Sequence, residues 1–298
     1  MRRKSPYGST RVSYPALSMG LVLIGAPLVV VTLYSFLKRG SFGSGVIYKF
    51  TTEAYSSILI QTNLVGEHSL NTAYLSIIWR SIVLALTVTV ICLLIGIPTA
   101  IWIALQKKSL QKILIVLVTI PFWVNVLART YAWMLLLADK GLVSQLGGPT
   151  LLYTNWATLI GLTYAFLPFM VLPVYAVAEK MDFRTLEAGF DLGASGWRVL
   201  FKIVLPSLKF GILSGIAVVF IPALGAYVQP SLLGGNKSML IGSLINDQFG
   251  ESRNWPVGSA LAVLLLFMTI FALGAFKFRE RRRIGRVNDV TEYLSGAA

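Results

Sequence analysis

Histidine and cysteine are almost missing from this chain of 298 residues, which has one of each. A lone Cys92, set inside an apolar stretch, permits no intrachain disulfide and reads as a small buried apolar residue. A lone His68 has no second ligand near it to build a metal site. Acids are scarce as well. Asp and Glu number 12, and all charged residues together make 13% of the chain, against roughly 25% in a soluble domain. That deficit argues against an ordinary water-soluble domain and points to lipid.

What is present instead is apolar length, with 56% hydrophobic residues. A helix needs about 20 apolar residues to cross the hydrocarbon core. Six stretches qualify: Ala16–Phe36, Ile82–Leu105, Ile113–Leu137, Trp156–Val177, Gly211–Leu232 and Pro256–Phe276. Pro222 and Pro230 interrupt the fifth, which a membrane helix tolerates where neighbours satisfy the freed carbonyls. The first has the basic start of a signal peptide. It is longer than an h-region, however, and no A-x-A-like site follows, so it is expected to stay as a span.

The net charge of +14 is distributed unevenly. With the N-terminus inside, 18 of the 26 Lys and Arg fall on inner segments. These are Arg2, Arg3, Lys4 and Arg11, then Lys107, Lys108 and Lys112, then Lys180, Arg184, Arg198, Lys202 and Lys209, and finally the cluster from Lys277 to Arg286. This bias predicts an all-α membrane protein of six transmembrane helices with both termini cytoplasmic. A nucleic-acid partner is not expected, because its protein would gather charge on a soluble basic face.

The chain then divides into a cytoplasmic tail (1–12), a first transmembrane helix with an outer segment (13–74), a transmembrane domain (75–276) and a basic cytoplasmic tail (277–298). The outer segment, with Tyr48, Phe50, Tyr55, Glu53 and Glu67, is too long for a tight turn and too short for a domain. Gln106–Lys112 is a short inner turn. Ala138–Asn155, with Gly141, Gly147, Gly148 and Pro149, is outer loop chemistry, and Leu233–Trp255 lies on the outside between the last two spans. No internal repeat and no low-complexity tract occurs.

The longest inner loop, 179–210, carries the most information. A short helix-compatible stretch meets Gly193, and Ser195 can N-cap a second helix. Trp197, Leu200, Phe201 and Val204 follow at helical spacing on one face, with Arg198 and Lys202 elsewhere. Pro206 is expected to end or bend that helix. An apolar helix left in water is costly, so it lies on the membrane surface or enters a partner's groove. Glu187, Ala188 and Gly189, three residues, Gly193, nine residues, Ile203, one residue, then Leu205 and Pro206 resemble the EAA loop of ATP-binding cassette importer permeases. The family usually has alanine where Gly189 stands, a departure expected to loosen the local helix rather than abolish docking. By this resemblance the loop forms coupling helices seated in a cleft of a cytoplasmic ATPase subunit. Glu187 is then an ionic contact to that partner and Gly193 the turn.

The chain has no motor of its own. A P-loop needs G-x-x-x-x-G-K-[ST]; the nearest string, Gly234 to Ser238, lacks the glycine before Lys237. No cofactor is expected on this chain, and ATP would be used by the partner. Beyond the loop, from about Leu75 to Phe276, the chain is similar to spermidine/putrescine permeases of bacterial inner membranes. The strings are Pro121–Trp123, Arg129–Trp133, Leu167–Phe169, Gly225–Pro230, Leu232–Gly235 and Asn254–Ser259. Permeases for opines and related solutes share them.

The resemblance implies a second permease subunit, usually a paralogue, a periplasmic solute-binding protein, and a pore of which this chain is half. Aromatic faces and carboxylates would suit a polycation, which marks Trp123, Tyr131, Trp133, Tyr227, Asp247 and Glu251 as candidates. Tyr227 stands out because Gly225, Pro222 and Pro230 surround it, where a broken helix can line a cavity. Arg129 would repel a polycation and is expected to pack against polar groups. A membrane enzyme would need an inward constellation of titratable groups. A carrier working alone would show repeats or intramembrane acids. The sequence supplies neither.

Overall fold

The computed structural model describes residues 10–40, 45–62, 68–182, 184–235 and 239–274. The basic tail 277–298, most of the tail 1–12, Glu67 and Lys237 lie outside them. The described residues fall into two compact units. One is the chain up to Tyr74 with Ile245–Leu266; the other is Leu75–Leu244 with the chain from Phe267.

The first unit opens with helix α1 (Thr10–Tyr34). Met19 and Leu21 through Ile24 are all exposed, so successive residues offer apolar surface right around the helix, as expected of a helix in lipid or under a partner. Next come strands β1 (Leu37–Arg39) and β2 (Val46–Phe50), helix α2 (Glu53–Leu59), and strands β3 (Ile60–Thr62) and β4 (His68–Leu70). β1 pairs with β2 and β3 with β4, each pair antiparallel. The outer segment is therefore two short hairpins around a helix, a departure from an all-α chain. Ile58, Ala54 and Leu37 form its buried apolar residues. Tyr55 OH meets Ser35 Oγ at 2.8 Å, and Asn71 Nδ2 donates to Ser57 O at 2.9 Å. Tyr34 packs on Trp255 with ring centroids 6.1 Å apart, and Arg39 Nη2 donates to Ser252 O at 3.1 Å.

The second unit is helical. Its elements are α3 (Thr72–Ala104), α4 (Lys108–Trp123), α5 (Val126–Leu137), α6 (Leu142–Gln145), α7 (Asn155–Ala178) and α8 (Arg184–Asp191). They continue as α9 (Gly196–Ser207), α10 (Lys209–Leu224), α11 (Ile241–Phe249) and α12 (Trp255–Gly274); α3, α11 and α12 run across the unit boundaries. Among the described residues, α3, α7 and α12 are each long and apolar enough to cross a membrane. Two bent helix pairs are apolar enough when each is taken together: α4 turns into α5 by 89°, and α9 into α10 by 70°.

These bends correct two predicted spans. The third breaks at Val124 and Asn125, both extended, and Asn125 Oδ1 accepts the Leu127 N–H at 2.8 Å, an N-cap that restarts the helix. The fifth ends at Leu224 and breaks over Gly225–Tyr227 before a π-helical turn at Pro230–Gly234. The second begins at Thr72, ten residues ahead of Ile82, because Asn71 Oδ1 accepts from Tyr74 N–H and opens the helix early.

The core of the second unit is built on α7. Met170, Val171 and Val174 are fully buried beside Val88 and Cys92 of α3 and Val219 of α10. Gly96 on α3 and Gly215 on α10 both face Met170, and a Cβ on Gly211 would meet Pro173 O at 2.7 Å. α11 starts against this core. Its Ile241 N–H donates to Ser81 Oγ at 2.8 Å, and Ser81 Oγ donates in turn to Ile77 O at 2.8 Å. A buried hydroxyl on α3 thus satisfies an otherwise orphaned helix-terminal amide.

Candidate functional site

The segment from Asp182 to Lys209 forms one structured corner. Asp182 Oδ1 accepts from the Arg184 N–H at 3.1 Å and starts α8. α8 closes at Gly193, which has φ +75°. Gly193 N–H donates to Phe190 O at 2.9 Å and Ala194 N–H to Gly189 O at 3.1 Å. This is the Schellman arrangement, and a left-handed residue there favours glycine. Ser195 occupies the N-cap position of α9 in extended conformation, but its side chain makes no cap bond. Its carbonyl opens the helix instead, accepting from Val199 N–H at 3.0 Å.

α9 widens to a π turn over Leu200–Val204, with Leu205 N–H donating to Leu200 O. Pro206 explains the widening. It has no N–H for the Lys202 carbonyl, and its ring crowds that carbonyl in a regular helix. The wider turn relieves both. Pro206 itself stays helical, and the 70° bend falls two residues later, at Leu208.

The predicted apolar stripe is split by this geometry. Val204 is buried with Val199 and Leu208 in the main core, and Leu200 and Ile203 pack against it. Trp197 and Phe201 face out, 72% and 59% exposed, with rings stacked 5.8 Å apart at 17°. Phe190 is exposed and Leu192 is 88% exposed, flanking the corner. α9 is therefore bolted to the core on one side and offers aromatic surface on the other. Glu187 and Ala188 are exposed on α8, Glu187 in its first turn, where a negative charge suits the helix dipole.

Gly189 does something other than loosen its helix. It is buried, and a Cβ there would come 2.9 Å from Ile203 Cδ1 and 3.5 Å from Val199 Cγ2. The missing side chain lets α8 and α9 close on each other. Gly189→Ala should gain about 1 kcal/mol of helix propensity and lose a comparable amount in displacing the movable end of Ile203. The melting temperature of the purified chain should stay within a few degrees of the parent. A large drop would mean that Ile203 cannot yield.

Beside this corner lies a network that the sequence did not disclose. The buried Gln111 donates through Nε2 to Ala104 O at 2.8 Å and Gln106 O at 2.7 Å, and Tyr175 OH donates to Gln111 Oε1 at 3.1 Å. It pins the basic turn to α7. Lys108 Nζ reaches Glu179 Oε1 at 2.9 Å, and that hydrogen bond holds the Glu179 carboxyl below its usual range. The pair is exposed, so it adds little stability.

The other predicted residues scatter. Trp133 lines a cavity of about 390 Å³ with Arg129, Val124, Ala128, Ala132, Leu136 and Tyr164. Its ring meets Tyr164 edge-on at 5.5 Å. The expected polar partners of Arg129 are not there: its Nε and Nη1 are buried without a hydrogen-bond partner among the described residues, and the walls are apolar and aromatic. Trp123 and Tyr131 are exposed near the α4–α5 bend. Tyr227 is exposed in the break after α10, and Gly242 of α11 abuts the Gly225 and Ala226 carbonyls of that break. In the first unit, burial raises the Asp247 carboxyl above its ordinary range, and the charge of Glu251 adds to this.

Residues 96–284 match the family described as the inner membrane component of binding-protein-dependent transport systems. The spermidine/putrescine transport system permease protein PotB of Haemophilus influenzae is 36% identical over 256 residues, covering 82% of this chain and 85% of that protein. The protein of that name in Escherichia coli is 33% identical, covering 82% and 88%. Among solved structures, a bacterial ATP-binding cassette transporter involved in the import of the acidic polysaccharide alginate superposes with a TM-score of 0.59 at 16% identity, over 89% of this chain and 93% of that one. At that identity the likeness shows the fold alone. A helical unit with this corner, matched over most of its length, leads to one assignment: the chain belongs to the family of binding-protein-dependent transport inner membrane components.

Proposed function

We propose that this chain is one of two permease subunits of an ATP-driven importer that brings a polyamine, putrescine or spermidine, across the inner membrane. It crosses the membrane six times with both termini cytoplasmic. α1, α3, α7 and α12 supply four spans, and the bent pairs α4–α5 and α9–α10 supply two. The Glu187–Pro206 corner receives a cytoplasmic ATPase subunit, which binds and spends the ATP. A periplasmic solute-binding protein delivers the cargo, and a second permease, a paralogue, completes the pore.

The observation that carries the coupling role is the exposed Trp197–Phe201 stack on a helix whose opposite side is core. Stacked rings in water cost free energy that a groove would recover, and a helix anchored in the core passes a push into the spans. The cargo assignment is supported by the polyamine relatives rather than by any contact. Permeases for opines or other amino-acid derivatives are not favoured among them. Within the chain, Arg129 shares the cavity of Trp133 and would repel a polycation. We therefore set the path of the cation at Tyr227.

The test is ATP-dependent uptake of labelled putrescine by vesicles holding the chain with its ATPase, second permease and binding protein. Glu187→Arg should cut uptake and ATPase copurification at least about tenfold, the loss of one charge-assisted contact, and Glu187→Gln should cut them less. Unaffected transport and copurification in Glu187→Arg would refute the docking role.

A further inference from the structure

A second recess, of about 440 Å³, lies between α3 and the start of α7, lined by Ser76, Trp79, Arg80, Val83, Leu84 and Thr87 on one side and Asn155, Trp156 and Leu159 on the other. Its chemistry is graded along its length. Arg80, Ser76 and Asn155 gather at one end, with Trp79 and Trp156 exposed beside them. Toward the other end come Val83, Leu84 and Leu159. Thr87 joins that end, its hydroxyl spent on Val83 O at 2.8 Å, which leaves its methyl to the groove. From Ser76 to Thr87 the recess follows α3 for roughly 16 Å at 1.5 Å per residue. That is close to one leaflet of hydrocarbon, about 15 Å.

The polar end is positive on two counts: the guanidinium of Arg80, and the first turn of α7, a helix of 24 residues with a positive N-terminal dipole. Among the described residues no acid lines the recess, so a polycation is an unsuitable occupant. Tryptophans at the level of a cation, with an apolar channel running one leaflet deep, match a membrane–water boundary.

We propose that this groove holds one anionic phospholipid, its phosphate at Arg80 and the start of α7 and one acyl chain laid along Val83, Leu84, Thr87 and Leu159. The volume is too small for a whole phospholipid and suits a single chain, so the second chain stays in the bilayer. With the orientation given by the charge bias, the lipid belongs to the outer leaflet. The proposal is independent of the cargo.

Native mass spectrometry of the full chain, purified from nanodiscs of equal phosphatidylglycerol and phosphatidylcholine, reads the outcome. The parent should retain one phosphatidylglycerol with about a five-fold preference, the attraction expected of one basic side chain at a membrane surface. Arg80→Gln should keep a lipid but lose the preference. Thr87→Trp, which fills the chain end and leaves Arg80 in place, should lose the lipid. Lys140→Gln, outside the groove, should behave as the parent. Equal retention of both lipids by the parent would overturn the proposal and leave annular lipid only. So would a preference that survives Arg80→Gln. Loss of the lipid when the second permease is added would assign the groove to the subunit contact instead.

Discussion

A chain carrying Trp197→Asp together with Phe201→Asp should reach the membrane in normal amount and lose its ATPase. Both rings are largely exposed, so removing them takes nothing from the core. Val199, Val204 and Leu208, all buried, still hold α9 in place. Two aspartates cost the helix only about 1 kcal/mol in propensity. The interface loses far more. Aromatic residues at the centre of a contact typically carry about 2 kcal/mol or more each, and two of them give about 4 kcal/mol, or nearly a thousand-fold in affinity. Copurification of the ATPase should vanish at working concentrations, and ATP-driven uptake with it.

The double variant also separates two roles for the stack. If the rings lay on the membrane surface instead of in a partner's groove, the aspartates would leave copurification unchanged, and the coupling proposal would be lost. Val204→Asp is the informative contrast. It buries a charge in the core beside Leu208 and Val199, so it should reduce the amount of folded chain before any question of docking arises.

Hydropathy made the long apolar helices legible because lipid demands length and apolarity, and both are properties of composition. It could not place the bends. The break at Val124 and Asn125 rests on two extended residues and one side-chain cap; within a 25-residue apolar run, Asn125 was the readable sign of it. The corner was legible in its glycine, since Gly193 adopts the left-handed conformation that a glycine between two helical stretches permits. Its outward face was only half legible. The stripe from Trp197 to Val204 assumes about 3.6 residues per turn, but the π turn over Leu200–Val204 inserts an extra residue and rotates the remainder of the helix by about 100°. Val204 therefore turns inward, and Phe201 stays with Trp197. The cause, Pro206, was in view, while its effect on register depended on whether the helix broke or widened. The hairpins of the outer segment escaped for a different reason: strands of three to five residues are too short to show an alternation.

Replacing Gly211 by leucine should be severely damaging to the second unit, and Gly215→Ala a much milder change. The two glycines stand four apart on α10, the small-xxx-small spacing that lets membrane helices approach closely. They differ in what a side chain would strike. At Gly215 a Cβ meets Met170 Sδ at 2.6 Å, the thioether of an adaptable side chain that can swing away. At Gly211 it meets Pro173 O at 2.7 Å and Val174 Cα at 3.0 Å. Both are backbone atoms of α7, which can yield only if the helices part. Overpacking of that kind costs about 1–3 kcal/mol or more, and parting α7 from α10 also opens the contact of Met170 with Gly215. At roughly 2–4 °C per kcal/mol for a unit of this size, Gly211→Leu should lower the melting temperature of the detergent-purified chain by about 10 °C or prevent its accumulation. Gly211→Ala should fall between the parent and leucine, below Gly215→Ala. The order of the two alanine variants is the decisive reading. If Gly215→Ala proves the worse, the closest approach lies at Met170, and the backbone contact at Pro173 is not what sets the separation of α7 and α10.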